Sequence, residues 1–406
     1  MKCSFIYVDA GKGHYTPAKA LCDSFISKGN VGTLDNMILI LGNPIYNKMI
    51  KIWWRFFLHY PKLERVSSEL QDNDFSYWLI KEIVKNDLRA SRCFKRWYEK
   101  EKPDLLVCTN YLAAPILTTL IKKTKINVPL FVYSADVFDC PNIGVSNDID
   151  IHYLPSQLGI DNCIRRGFYP EILHRSPFPL KAGISDYKDL SKKDARIQLG
   201  LDLNKPTIIL NFGGEGIGNL ELPKALVKRN LDWQVIVLGK LSRDTRRRFR
   251  SFMREYPSFS LLTPGFVDNV GVYIKACDVQ LGKTGANSLL ESLYLKRPFL
   301  MSQLLYTSKA FIDFMKDYKI GWAENKVSKQ VAILENFFNS EEEQKEMEHV
   351  MNNLPLSFSS DDFVDLIIKD YKDYDTSEKL MKKRANLAIE QKNLWKKFKS
   401  KIKIEK

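Results

Sequence analysis

The stretch Asp278-Val-Gln-Leu-Gly-Lys-Thr-Gly-Ala-Asn-Ser-Leu-Leu-Glu291 reads as a buried strand, a tight glycine turn and a helix that begins at once. A helix entered that way turns unpaired backbone N–H groups toward whatever lies in front of it, which makes an anion site with phosphate as its usual occupant. Glu291 comes six residues after Gly285, almost two turns into the helix, and a carboxylate there suits ribose hydroxyls better than further phosphate. Together these residues predict a nucleoside diphosphate gripped from both ends. Gly282-Lys-Thr284 spells the close of a P-loop, but that loop needs a glycine where Cys277 stands, so an ATPase or kinase is excluded. The plainer reading, a strand–turn–helix without a ligand, fits the stretch equally well on its own.

A second turn of the same kind lies at Asp9-Ala-Gly-Lys-Gly-His14. The third glycine of a dinucleotide fingerprint would fall at position 16, which is Thr16, so Gly11-Lys-Gly13 is weak evidence for NAD. His14 is the useful residue. Near a helix N-terminus its neutral form is favoured, and a neutral imidazole can take a proton from a hydroxyl. The competing reading is a structural histidine bonded to backbone. Gly213-Gly-Glu-Gly-Ile-Gly218 has no phosphate-loop spacing, yet it sets residues without side chains just after a strand, where a ligand or a second domain can approach closely.

The elements that position these loops follow a strand–helix alternation. Cys3–Val8 reads as a buried parallel strand, followed by a helix with Thr16 as N-cap and Pro17 in its first turn, running from Ala18 to Ser27 and closed by Gly29. Residues 103–108, 129–133 and 150–154 read as further strands of this half. Between them, 44–102 is helical in pattern and rich in aromatic and basic residues: Lys48, Lys51, Trp53, Trp54, Arg55, Phe56, Phe57, His59 and Tyr60. A second half begins near Lys205, with strands at 206–212, 233–238, 260–262, 278–283 and 298–301. The expected fold is α/β: two Rossmann-like doubly wound domains facing across a cleft, spanning 1–178 and 179–370 with a join near Ser176-Pro-Phe-Pro179. A basic amphipathic helix over 371–406 follows, with Leu380, Leu387, Leu394, Trp395, Phe398 and Ile402 close to one face. It reads either as a helix packed on the body with a solvated face or as an attachment to anionic lipid.

The 406 residues suffice for two full cores. No apolar run reaches membrane-spanning length, and Met1 to Ala10 is too short and too soon acidic for a signal peptide, reading better as a first strand. Seven scattered cysteines without a Cys-x-x-Cys pair fit a reducing cytosol and argue against zinc. The net charge of +14 points to solubility, nucleic acid, an anionic membrane surface or a highly charged small substrate; no named nucleic-acid module is present, so nucleic acid is not the expected partner.

Taken in order, these residues resemble a family. Ala10-Gly-Lys-Gly-His14 with Pro17-Ala18, Ser134-Ala-Asp136, Asp150-Ile-His-Tyr-Leu-Pro-Ser156, Gly167, Ser176-Pro-Phe-Pro-Leu180, Phe212-Gly-Gly-Glu-Gly-Ile-Gly218, Gly265-Phe-Val267, Ala276-Cys-Asp278 and Lys283 to Glu291 are similar to the motifs of B-type (GT-B) glycosyltransferases. The narrower resemblance is to the monogalactosyldiacylglycerol synthase and processive diacylglycerol glucosyltransferase group, related to the peptidoglycan GlcNAc transferase, over most of residues 3–325.

The resemblance implies transfer of a hexose-type sugar from a UDP-sugar to a hydroxyl of a lipid such as diacylglycerol or another membrane-near acceptor, without metal or other cofactor. The implied setting is the cytoplasm, peripheral to the inner face of an anionic membrane. Carried over, Phe266 sits by the uracil. Thr284, Gly285 and Ala286 face the diphosphate with Asn287 in the same run, and Glu291 holds the ribose. Gly213, Gly214, Glu215 and Gly216 line the donor side of the cleft, with Gly11 and Gly13 across from them. His14 becomes the general base and Asp136 a supporting or alternative base. One departure stands out. Where the family carries Gly-Gln-Glu or Gln-Gln and then Asn against the donor sugar, this chain has Lys309 and Ala310 within Tyr306-Thr-Ser-Lys-Ala-Phe-Ile-Asp313. Lys309 suits a phosphate or an acidic sugar, or marks a decayed donor site. Two further readings stay open: a UDP-GlcNAc 2-epimerase on the same plan, which needs extra carboxylates in the cleft, and a non-catalytic member that binds membrane or nucleic acid.

Overall fold

The computed structural model describes residues 1–374 apart from 10, 145, 212, 214–219 and 284. The first sheet comprises β1 (Lys2–Tyr7), β2 (Val31–Asn36), β3 (Leu105–Cys108), β4 (Leu130–Tyr133), β5 (Ile151–Leu154) and β6 (Leu173–Arg175), in the spatial order β2-β1-β3-β4-β5-β6. The second comprises β7 (Thr207–Asn211), β8 (Gln234–Leu238), β9 (Leu261–Gly265), β10 (Val279–Lys283), β11 (Phe299–Gln303) and β12 (Gly321–Ala323), in the order β12-β11-β10-β7-β8-β9. Every pairing between these strands is parallel.

Parallel strands covered on both faces must be apolar on both, because alternate side chains point to opposite sides. The first sheet obeys this residue by residue. Cys3 and Phe5 of β1, Leu105 and Val107 of β3, and Phe131 and Tyr133 of β4 enter one core. Ile6, Leu106, Cys108, Leu130 and Val132 enter the other.

Each sheet reverses its strand order once, between β1 and β3 in the first and between β7 and β10 in the second. At such a reversal the two neighbouring loops part and leave a crevice beyond the strand ends, where ligands of open α/β sheets bind. The crevice of the first sheet is bounded by the Gly11–His14 loop and the Thr109–Tyr111 loop. That of the second is bounded by the loops after Asn211 and Lys283.

Residues 44–102 form four helices, Pro44–His59, Pro61–Gln71, Asp74–Asn86 and Leu88–Glu101. Asn43, Asn73 and Asp87 cap three of them, each accepting from the backbone N–H three residues on. The helix after β1 starts at Tyr15 rather than near Ala18, with His14 at its N-cap position and Thr16 already inside, its N–H donating to Lys12 O. β2 and β6 were not visible as apolar runs: β2 is half-exposed along most of its length and β6 has three residues.

The helix Ser360–Asp373, grouped with the second half by the 179–370 boundary, packs instead on helix Tyr15–Ser27 of the first. Ser24 donates to Asp361, Lys28 pairs with Asp365, and Asp370 accepts from Tyr153 OH at 2.8 Å while meeting His174 Nδ1 at 2.9 Å. On its way the chain runs beside the earlier crossover, bonding Phe178 N–H to Ser357 O and Ser359 N–H to Phe178 O. Two strands of chain therefore join the halves side by side. The expected basic helix lies almost wholly in 375–406, outside the described residues.

Candidate functional site

His14 stands where the β1 loop enters its helix. Its Nδ1 lies 3.0 Å from Thr109 O, and Thr109 Oγ1 donates back to His14 O at 2.7 Å. A carbonyl can only accept, so Nδ1 carries the proton and Nε2 keeps its lone pair. Burial lowers the imidazole to about 4, against a smaller opposing pull from the Thr109 carbonyl. His14 is therefore neutral at physiological pH, with one nitrogen fixed and the other free to act as a base. Its ring meets Tyr111 edge-on at 6.4 Å.

Asp136 follows β4, and it lines a cavity of about 620 Å³ together with Tyr111. Burial, then the neighbouring Asp139, raises its carboxyl to about 7, and its Oδ2 is buried with no hydrogen-bond partner among the described residues. The cavity is walled by both halves of the molecule. Ser68, Asp72, Asp139, Asn162, Arg165 and Arg166 come from the first, and Tyr306, Lys309, Ala310, Asp313, Lys316 and Asp317 from the second. Arg166 grips Asp139 with two bonds of 2.7 Å and Asp72 with one of 3.0 Å, clamping the rim. Lys309 and Asp136, predicted from motifs far apart in sequence, thus share one cavity.

The donor-side residues gather at the second reversal. Gly285 ends the β10 loop and precedes helix Ala286–Tyr294, and a Cβ placed on it or on Gly13 would meet nothing within 4 Å. Asn287 Nδ2 reaches Lys12 O at 3.5 Å, so this helix start faces the Gly11–His14 loop across the cleft. Gly11 is tied down differently: it has φ +87°, and a side chain there would strike the Trp54 indole at 2.9 Å. Gly213, at φ +60°, lies beside the Lys283 side chain. Glu291 is nearly closed off, and burial raises its carboxyl to about 7 despite Lys181. Phe266 is 69% exposed on the rim of a second cavity of about 400 Å³, with Gly239, Lys240, Arg246, Arg250 and Gly265. Gly214, Glu215, Gly216 and Thr284 fall outside the described residues.

Sequence reasoning missed Tyr111, Asp139 and Arg166, and the Arg246–Arg250 wall. Only the arginine run after Gly239 carried a visible signal. Asp-x-Asp triplets at 72–74 and 148–150 are accounted for by the fold: Asp72 belongs to the Arg166 clamp, Asp148 pairs with Lys81 and Lys122, and Asp150 accepts from Leu130 N–H.

No family model matches the chain. It is 22% identical over 378 residues to monogalactosyldiacylglycerol synthase 3 of Arabidopsis thaliana, covering 86% of this chain and 76% of that protein. Against the peptidoglycan-precursor N-acetylglucosamine transferase of Staphylococcus carnosus it is 23% identical, covering 73% and 78%. Against probable monogalactosyldiacylglycerol synthase 2 of Oryza sativa subsp. indica it is 21% identical over half its length and spans 45% of that relative. Among solved structures, Acinetobacter baumannii MurG superposes with a TM-score of 0.59 at 14% identity, covering 91% of this chain and 99% of its own. The fold is that of a B-type glycosyltransferase. The same architecture is shared by UDP-GlcNAc 2-epimerase of Neisseria meningitidis bound to UDP-GlcNAc, with a TM-score of 0.58 at 11% identity, covering 92% and 100%. It is shared too by Anabaena Alr3699/HepE in complex with UDP, at 0.56 and 12%, covering 92% and 100%.

Proposed function

We propose that the chain is a glycosyltransferase that moves a hexose-type sugar from a UDP-sugar to a hydroxyl of a lipid or another membrane-near acceptor. The observation that carries this reading is the pairing of the two crevices: the helix start at Gly285–Asn287 faces the His14 loop, and Asp136 and Lys309 line one cavity from opposite halves. In this reading the base stacks at Phe266, Glu291 meets the ribose, and the diphosphate lies on the N-terminus of helix Ala286–Tyr294 with Asn287 beside it. The helix dipole and N–H groups balance the leaving charge, so the reaction needs no metal. His14 Nε2 takes the proton of the acceptor hydroxyl as its oxygen attacks the anomeric carbon and the sugar–phosphate bond breaks, releasing UDP. Lys309 contacts the donor sugar.

The membrane part of the reading rests on helix Pro44–His59. Its inner side holds Asn47, Trp54 and Leu58, while Ile45, Tyr46, Met49, Ile52, Trp53 and Phe56 are exposed beside Lys48 and Lys51. An apolar face that large, edged with cations, suits a headgroup interface. It favours peripheral attachment, and no helix among the described residues is long and apolar enough to cross a membrane. The test is UDP release from a panel of UDP-sugars with and without lipid vesicles. Lipid-dependent release from at least one sugar is expected; no release from any, with no thermal stabilisation by UDP, would sink the proposal.

One observation favours a second reading, a UDP-GlcNAc 2-epimerase-like enzyme. That chemistry needs extra carboxylates, and Asp313 and Asp317 join Asp136 on the cavity wall. Acceptor-independent conversion of UDP-GlcNAc to its 2-epimer, with no glycoside formed, would select it.

A further inference from the structure

The helix Arg243–Glu255 carries Arg243, Arg246, Arg247, Arg248, Arg250 and Arg254 within thirteen residues. Phe249 and Phe252 alone anchor it to the core. At 100° per residue, Arg243, Arg246, Arg247, Arg250 and Arg254 fall on one stripe opposite those anchors, at spacings of three and four, over a length of roughly 16 Å. All five are exposed. Asp244 pairs with Arg248 at 2.9 Å and more loosely with Arg247 at 3.7 Å. Arg243, Arg246, Arg250 and Arg254 make no ion pair or side-chain hydrogen bond among the described residues. Like charges three or four apart on a helix repel, so this stripe weakens the helix it sits on and does nothing for the fold. An external polyanion would reverse that sign.

We propose that this stripe docks the second half of the molecule on an anionic phospholipid surface. Guanidinium groups bind phosphate as planar forks, and a row of them on one exposed helix meets headgroup phosphates lying in a plane. Met253, 39% exposed, flanks the row on its Arg246 side, and an apolar side chain beside cations favours a lipid interface over a nucleic-acid backbone. The stripe is distinct from the apolar face of Pro44–His59, which belongs to the first half. The proposal does not rest on the transferase reading, since it concerns where the protein sits rather than what it converts.

The experiment is flotation of the full chain with vesicles of neutral phospholipid alone and of neutral phospholipid mixed with an anionic one. The variants are Arg243→Gln/Arg247→Gln/Arg254→Gln, which spares the cavity residues Arg246 and Arg250, and the same three positions changed to Lys. On anionic vesicles the Gln variant is expected to bind about tenfold or more weakly than the unaltered chain, since each arginine near such a surface contributes severalfold. The Lys variant should retain most of the binding, which separates lost charge from a damaged helix. A smaller loss in the Gln variant, an equal loss in the Lys variant, or equal binding of the unaltered chain to neutral and anionic vesicles overturns the proposal. Retention on duplex DNA at physiological salt without binding to anionic vesicles overturns it in favour of nucleic acid.

Discussion

Glu64 accepts a hydrogen bond from the backbone N–H of Tyr306 at 2.8 Å. Its second oxygen accepts from Ser68 Oγ at 2.9 Å, so a carboxyl group of the first half holds the segment of the second half that leads into Lys309. Gln303 donates to Leu58 O close by. Glu64→Ala leaves a partly buried N–H without its acceptor, which costs about 1 kcal/mol or more. The expected result is a lower melting temperature together with a raised KM for the UDP-sugar. Glu64→Gln, which keeps one acceptor oxygen, should fall between the two.

The two candidate bases predict different pH profiles. A general base works only when deprotonated, so activity rises with pH through its pKa. With His14 as base, at about 4, kcat/KM for the acceptor is flat from pH 5 upward; with Asp136 as base, at about 7, it climbs through neutrality. His14→Ala should lose about 10²- to 10⁴-fold in kcat while leaving UDP binding intact. A profile that climbs through pH 7 in the unaltered chain would transfer the role to Asp136.

Glu291 gives a stability signature. Its folded value of about 7 lies above the ordinary 4.5, so the fold favours the protonated form. The resulting stabilisation is complete below pH 4.5 and disappears as pH rises through 7. Glu291→Gln removes the slope. At pH 8 the variant should be more stable than the unaltered chain by up to about 3 kcal/mol, and at pH 4 the two should melt alike. UDP affinity, measured by thermal shift, should fall in the same variant.

Lys309 is the residue to change in search of the sugar. Lys309→Gln restores an amide of the kind found in the resembled family and should shift preference among UDP-sugars by about tenfold, with affinity for UDP itself unchanged. An unaltered sugar profile would place Lys309 outside the donor contact.

Trp53 and Phe56 test the apolar face. Changing both to Ser should cut partitioning onto lipid vesicles at least tenfold, since burying one such side chain contributes about 1.5–3 kcal/mol. Melting should hardly change, because both side chains are about half exposed.

Much of this was legible in the residues. Strands with a near-continuous apolar run, such as Phe131–Tyr133 and Val235–Leu238, declare themselves because both faces are covered. The Gly11 turn declares itself because nothing else fits there: Gly11 has positive φ under Trp54. What stayed hidden depends on distance in sequence. β2 shows no apolar run because much of it is open to solvent, so its place beside β1 could not be read. The Arg166–Asp139–Asp72 clamp spans up to 94 positions, and no local pattern announces an ion pair of that reach. The exposure of Trp53 and Phe56 was equally unreadable, since an aromatic helix looks alike in a core and on a surface until its neighbours are placed.

The return of Ser360–Asp373 to the first half means that this half is discontinuous in sequence, built from an opening segment and a late one. Recombination with a relative therefore cannot exchange this half intact through a single crossover near Phe178. That crossover would pair helix Tyr15–Ser27 with a foreign partner and separate Ser24 from Asp361 and Tyr153 from Asp370. A working chimera needs two crossovers, one on each of the adjacent segments at Phe178 and Phe358, so that both pieces of the half travel together.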